Sequence, residues 1–197
     1  MWGVSWSTLA SFTSSQAALN LAVLVSGSGD RPTSITLPRG TTFSSSVDGV
    51  AYTFQTRENF TALDDGAGLY QFLDGNGQTG IPVFEGLEKT KTFFVGETGD
   101  SQIYVIPDVT IDTTTIRVRV FATAASTAFD TYTNINQAIR ITNNSTLFQI
   151  KEVPNGYFEV IFGDGISTGK APEAGNKIVI DYLSTKATAA NGASSFS

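Results

Sequence analysis

The segment from Tyr157 to Tyr182 constrains the fold more than any other part of the chain. Two apolar runs flank a loop so rich in glycine that no helix could continue through it. The turn-forming residues of this loop are Gly163, Gly165, Gly169, Pro172 and Gly175. The segment therefore predicts two strands joined by a loop whose backbone visits positive φ at several points.

A period of two dominates the rest of the sequence. Ile116, Val118 and Val120 alternate with Arg117 and Arg119, which is typical of a half-buried strand. Further strands are predicted at residues 19–25, 34–37, 51–56, 91–95, 102–106 and 177–183. Glycine- and proline-rich turns separate them at short spacing. The pattern favours a mainly β fold with antiparallel sheets and little helix.

One hairpin is predicted in detail. Leu147–Val153 and Tyr157–Phe162 both alternate, and Pro154-Asn155-Gly156 separates them. Proline suits the second position of a turn, and Asn-Gly suits positive φ. Two segments are instead candidates for helix: residues 129–139 show helical spacing and could form a short helix or a turn, and residues 7–18 are the other candidate. The small, polar residues 186–197 are predicted to form a flexible C-terminal tail.

The composition excludes several kinds of site. All 197 residues lack histidine and cysteine, so no Ser-His-Asp or Cys-His nucleophile, no disulfide and no His/Cys zinc site can form. The net charge of -6 argues against nucleic acid as a partner, because phosphate contacts need clustered Lys and Arg. No segment approaches the ~20 apolar residues of a membrane span. We expect no enzyme activity, no cofactor and no small-molecule substrate.

Three polar patterns could still indicate a site. Asp74-Gly-Asn-Gly-Gln78 with Glu85 is similar to an EF-hand loop, but Thr79 stands where that loop needs glycine, which favours a surface turn. Gly163-Asp164-Gly165 could cradle a phosphate, but a strand follows instead of a helix, so Asp164 is predicted to accept backbone N–H bonds. The acids available for a hydrolytic pair are Asp64, Asp65, Glu85, Glu88, Glu152, Glu159 and Asp164.

The aromatic residues bear on a second alternative. The chain has 14 Phe, 6 Tyr and 2 Trp, whereas glycan-binding platforms favour exposed Trp and Tyr. Phenylalanine-rich usage favours cores and permanent interfaces. Trp2 and Trp6 are predicted to lie on one side of an extended segment, where they could anchor an N-terminal arm on another subunit. A glycan-binding β domain of a phage adhesin remains the alternative function.

Three motifs resemble the baseplate J-like family, which includes the baseplate wedge subunit of contractile-tailed phages. The first is residues 35–43 followed by 50–58, the second is residues 109–120, and the third begins at Phe162. They occur in the family's order and span about residues 19–183. The residues that carry the resemblance as a structural motif are Pro38, Gly40, Phe43, Phe162, Gly163, Asp164, Gly165, Gly169, Pro172, Gly175 and Tyr182.

The resemblance implies a structural protein of the virion, assembled in the host cytoplasm, that joins baseplate wedges into a ring around the tail hub. Its implied partners are other wedge subunits and copies of itself. The implied organisation is an N-terminal arm or truncated end (1–18), a discontinuous β domain (19–85 plus 160–185), an inserted β-sandwich-like unit (86–159) and the tail (186–197). In this arrangement the early strands pair with the late ones.

Overall fold

The computed structural model describes residues 12–27, 29–97 and 102–197. The fold is mainly β, with 48% of residues in strands and 6% in helical turns, and no helix of seven or more residues occurs in the described part. Among the described residues, the strand pairs with a defined register are antiparallel except for one parallel pair, which confirms the predicted fold class. The chain forms two compact units. The first comprises Thr13–Leu87 and Thr185–Ser197, and the second contains Glu88–Ser184.

The first unit is built from three small sheets. Its strands are β1 (Gln16–Leu19), β2 (Ala22–Leu24), β3 (Ser34–Leu37), β4 (Thr42–Val47), β5 (Val50–Gln55), β6 (Phe60–Leu63), β7 (Leu69–Gln71) and β8 (Ile81–Glu85). The largest sheet has the order β1-β8-β5-β4, while β2 pairs with β7 and β3 pairs with β6. Tyr70 and Ile81 are fully buried in one core cluster, and Phe54 and Val83 lie in another.

The tight turn between β4 and β5 follows from two residues. Asp48 and Gly49 connect Val47 to its register partner Val50, and their φ angles are 51° and 80°. Positive φ at both positions is what a type I′ hairpin turn requires, and Asp-Gly is a preferred sequence for it. The Asp-Gly pair predicts this turn from the sequence. The sequence does not predict the strand β4, because its Ser44–Ser46 run lacks an apolar alternation.

The second unit contains one seven-stranded sheet. Its strands are β9 (Leu87–Phe94), β10 (Tyr104–Ile106), β11 (Ile111–Phe121), β12 (Phe129–Asn134), β13 (Leu147–Val153), β14 (Tyr157–Phe162) and β15 (Lys177–Ser184). Their order is β10-β14-β13-β12-β11-β15-β9. The core lies on one face of this sheet, with Val118, Phe158, Ile178 and Ile180 among its most buried members.

The predicted hairpin is confirmed at both strands. β13 pairs with β14 from Phe148↔Phe162 to Val153↔Tyr157. Asn155 and Gly156 in the turn have φ angles of 73° and 71°.

The prediction of a short helix or turn at residues 129–139 is wrong for most of the segment. Phe129–Asn134 is a strand that pairs with β11, and only Ile135–Gln137 forms a single 3-10 turn. Pairing with β11 buries Tyr132, so tertiary contacts override the helical spacing. The other helical candidate, 7–18, falls partly outside the described residues, and β1 begins at Gln16 within it.

The domain boundaries also differ from those implied by the resemblance. β15 pairs with β11, through Val118↔Ile180 and Val120↔Ile178, rather than with an early strand. The inserted unit therefore extends to Ser184 instead of ending at residue 159, and the piece that returns to the first unit is 185–197. Within residues 1–18, only those from 12 onward are described. The predicted N-terminal arm with Trp2 and Trp6 lies outside the described residues.

The C-terminal segment is not a free tail. Ala187–Ala190 forms a 3-10 turn, and Ala190 is buried. Phe196 packs edge-on against Phe54 with ring centroids 5.1 Å apart. The backbone of Ser197 exchanges two hydrogen bonds with Ser44 on β4, which extends the first sheet by one residue. Packing of the buried Ala190 and the partly buried Phe196 against the core that contains Phe54 explains why this polar sequence docks.

Candidate functional site

The first group of motif residues forms a turn in the first unit. The carbonyl oxygen of Pro38 accepts hydrogen bonds from the Oγ1 atoms of Thr41 (2.7 Å) and Thr56 (2.8 Å). Gly40 has a φ of 81°, and its N–H donates to the Thr56 carbonyl. Phe43 follows the turn and packs against the core that contains Phe54. These contacts fix the chain between β3 and β4, and every polar group named here is used within the turn.

The second group forms a corner after β14 in the second unit. One carboxylate oxygen of Asp164, Oδ1, accepts the backbone N–H groups of Ile166 (2.9 Å), Ser167 (2.7 Å) and Thr168 (2.9 Å). The other oxygen accepts the Ser167 hydroxyl at 2.8 Å. The Asp164 N–H in turn donates to Thr168 Oγ1. The predicted role of Asp164 as a backbone acceptor is confirmed, and its carboxylate is occupied by its own loop.

Close contact between backbone segments in this corner explains why two of its positions are glycine. A side chain on Gly163 would overlap the backbone of Gly169, whose Cα would lie 2.6 Å from the new Cβ. Gly169 has a φ of 116°, and a Cβ there would lie 2.7 Å from the Ser145 carbonyl oxygen. Gly165 has a φ of 72° and donates its N–H to the Gly169 carbonyl at 2.7 Å. The loop folds back on itself so closely that backbone contacts backbone.

Asp164 predicts a pH dependence of stability. Hydrogen bonds from the backbone N–H groups of Thr168, Ser167 and Ile166 hold the pKa of Asp164 below its ordinary value of 3.8. A depressed folded pKa means that the stabilisation is present above the unfolded pKa and is lost as the pH falls through the folded pKa. We expect Asp164→Asn to be less stable than wild type at pH 7, with a difference that shrinks below about pH 4. Urea unfolding between pH 2 and pH 7 measures this, and a difference independent of pH would contradict it.

The remaining motif residues lie in the same unit and serve its packing. The Gly175 N–H donates to the Val95 carbonyl, and its φ is 86°. Pro172 lines a cavity of about 340 Å³ beside the corner. Tyr182 is buried in the core. Its pKa is raised to about 12, mainly by burial and then by the negative charge of Asp108 and a hydrogen bond with that residue. The motif therefore separates into a set of three residues in the first unit and eight in the second.

The calcium-like loop is a turn, as predicted. Asp74 Oδ1 accepts the N–H groups of Asn76 (2.9 Å) and Gln78 (2.8 Å). Glu85 is buried elsewhere and accepts the Thr185 hydroxyl at 2.5 Å and the Lys186 N–H at 3.0 Å. Across residues 12–27, 29–97 and 102–197, no three acidic side chains converge as metal ligands would.

Other candidate acids are also tied into turns. Asp64 accepts the N–H groups of Gly66 and Gly68 and pairs with Arg31 at 3.2 Å. Asp65 accepts the N–H groups two and four residues further along the chain. Glu88, Glu152 and Glu159 lie on β9, β13 and β14. Several of the acids that the sequence offered for a hydrolytic pair therefore hold turns in place by accepting backbone N–H groups.

The structure adds a surface that sequence reasoning missed. Leu24 and Leu69 are cross-strand partners on β2 and β7 and are 69% and 38% exposed. The Asp64↔Tyr70 bridge places Leu63, which is 70% exposed, opposite Gln71 and so on the same face as Leu69. We call Leu24, Leu63 and Leu69 the leucine face. The signal was present at Leu24, an apolar residue on the side of the strand opposite Val23 and Val25.

Comparison with known proteins finds no family model that matches the chain and no curated protein with significant similarity to it. In the part of the chain that the structure describes, no helix is long and apolar enough to cross a membrane.

Proposed function

We propose that this chain is a structural component of a contractile phage tail baseplate, as a wedge subunit or part of one, that joins wedges into a ring around the tail hub. It acts in the virion by contact with other wedge subunits and with copies of itself, and it performs no catalysis. The resemblance of the motif residues supports the family. The geometry supports a role in assembly.

The observation that carries the assembly role is the leucine face. Three leucines share one side of the β2–β7 and β6 strands and remain open to solvent. Exposed apolar side chains grouped in this way mark surfaces that bind another protein. The Asp164 carboxylate, by contrast, has both oxygens bonded within its own loop. The surface therefore offers apolar contact area, while the most conspicuous polar motif is engaged in its own backbone.

The adhesin alternative is less well supported. All six tyrosines are described, and none of them is exposed. A glycan platform would need such rings at the surface, with an apolar face and a polar tip. Both tryptophans lie outside the described residues, so binding to a glycan array remains the measurement that would favour this alternative.

Two lysine substitutions on the leucine face test whether it mediates association. We expect Leu24→Lys with Leu63→Lys to weaken association with itself or with a wedge partner by roughly tenfold or more, because apolar area is lost and charge is buried. Thermal stability should stay near that of wild type, since both side chains are exposed. Light scattering across a concentration series measures the association. Ile139→Lys, at a fully exposed position in the second unit, is the matched control and should associate like wild type.

Deletion of the gene from the genome that encodes the chain tests the function itself. The proposal predicts particles or tails without an assembled baseplate, restored by wild type and not by the double lysine variant. Complete, infective particles in the deletion strain would overturn it.

A further inference from the structure

A cavity of about 460 Å³ lies in the second unit where β12 ends, between β11 and β13. Ile116 and Arg117 of β11 line one side, and Phe148 and Ile150 of β13 line the other. The 3-10 turn contributes Asn136 at one end. We call this cavity the β11–β13 gap.

Neighbouring residues of the same strand line the gap. On β11, whose pairing with β15 is irregular between Asp112 and Arg117, both Ile116 and Arg117 line the gap, although side chains of successive residues in a regular strand point to opposite faces of a sheet. On β12, residues 131–134 all contribute in the same way. A depression on one face would be lined by every second residue. The β11–β13 gap therefore runs along the edges of strands and opens between them.

The space between β11 and β13 in the sheet is wide enough for one strand. β12 occupies it, pairing with β11 through Tyr132 and with β13 through Thr133 and Asn134. Beyond Asn134 the chain turns into the 3-10 helix, while β13 continues to Val153 with β14 as its only strand partner in the described part. Residues 149–153 of β13 thus present an open edge of about 16 Å. An open edge is a template for another strand.

We infer that the β11–β13 gap binds an extended peptide segment of a partner protein. The peptide adds a strand to the sheet in the position between β11 and β13 that β12 no longer occupies beyond Asn134. Backbone hydrogen bonds to the open edges supply the affinity in this mode of recognition, and side-chain pockets supply the selectivity. The inference does not rest on the baseplate proposal, because the open edges and the lining residues are independent of any assembly.

The lining residues define the chemistry of the peptide. Arg117 is half-buried, and no ion pair or hydrogen bond joins its side chain to another of the described residues. Its cross-strand neighbour Asp181 is already engaged by Arg119 (2.6 Å) and Thr90 (2.8 Å). A half-buried guanidinium without a partner selects a carboxylate. Ile116, on the opposite face, suits an apolar side chain. The ligand is therefore a β-prone segment in which apolar residues alternate with polar ones that include an Asp or Glu.

The test uses the full chain labelled with ¹⁵N and two acetylated, amidated hexapeptides, Thr-Val-Asp-Val-Thr-Val and its counterpart with Asn in place of Asp. We expect both to shift amide resonances at residues 113–117 and 149–153 and to slow their hydrogen exchange. The Asp peptide should bind roughly tenfold tighter than the Asn peptide. Arg117→Gln should remove that difference. Arg140→Gln, an exposed arginine that does not line the gap, should preserve it.

A second variant separates binding from folding. Asn136→Tyr places bulk at the end of the gap and should abolish the shifts for both peptides while leaving the unfolding transition unchanged. Absence of shifts for the wild-type chain at millimolar peptide, or shifts confined to other strands, would overturn the inference. So would shifts of the same amides by galacturonate with neither peptide active, because the gap would then be a site for an acidic sugar.

Discussion

Gly163→Ala is expected to destabilise the second unit by about 3 kcal/mol or more. The new Cβ would overlap the carbonyl group of Gly169 and lie 2.6 Å from its Cα. Relief requires the two backbone segments to separate. That movement would strain the Gly165 N–H to Gly169 carbonyl bond and the Lys170 N–H to Ser145 carbonyl bond, which are 2.7 and 2.8 Å long. Urea unfolding, monitored by far-UV circular dichroism, measures the change in the free energy of unfolding.

Gly165→Ala in the same corner is the matched comparison. Its φ of 72° is unfavourable for alanine, but the nearest atom to a new Cβ is the Ala171 Cβ at an ordinary 3.7 Å. We expect a loss of only about 1–2 kcal/mol, from backbone strain alone. Equal losses for the two variants would show that close approach at Gly163 is not what the corner requires.

Glu85→Ala is expected to destabilise the first unit by about 3 kcal/mol. Glu85 is 4% exposed, and its carboxylate accepts the Thr185 hydroxyl and the Lys186 N–H. Ser15 joins the same cluster, since its carbonyl accepts the Glu85 N–H and its hydroxyl donates to the Ala187 carbonyl. Removing the carboxylate leaves two donors without an acceptor where the returning chain docks. We therefore also expect faster proteolysis within residues 185–197, measured by mass spectrometry.

Two variants bracket this result. Glu85→Gln keeps an acceptor oxygen of similar reach and should lose less than the alanine variant. Glu58→Ala removes an exposed glutamate of the same unit and should change stability by less than about 0.5 kcal/mol. A stable Glu85→Ala variant with a protected C-terminal segment would mean that the apolar contacts of Phe196 and Ala190 suffice to dock it.

Local chemistry is what the sequence predicts well. The β13–β14 hairpin and the Asp164 turn depend on residues within a few positions of one another, so alternation and Pro-Asn-Gly or Gly-Asp-Gly punctuation define them. The same holds for the Asp48-Gly49 turn. In each case the signal and the structure that it produces lie on the same short stretch of chain.

Strand partners are what the sequence leaves open. Alternation identifies Lys177–Ser184 as a strand, but it carries no information on whether Ile178 and Ile180 pair with an early strand or with Val118 and Val120 of β11. The boundary of the inserted unit follows from that one choice of pairing. The strand at Phe129–Asn134 likewise depends on β11. The leucine face also arises from pairing, because Leu24, Leu63 and Leu69 are brought together by three strands.

Immunogold electron microscopy of contractile tails from the bacterium that produces them tests the central claim most directly. With antibody raised against this chain, the proposed function predicts label at the baseplate end of the tail, and retention of the chain when baseplates are purified. Label confined to the tips of tail fibres would favour an adhesin instead. Tails that carry no label and contain no copy of the chain would contradict the proposal.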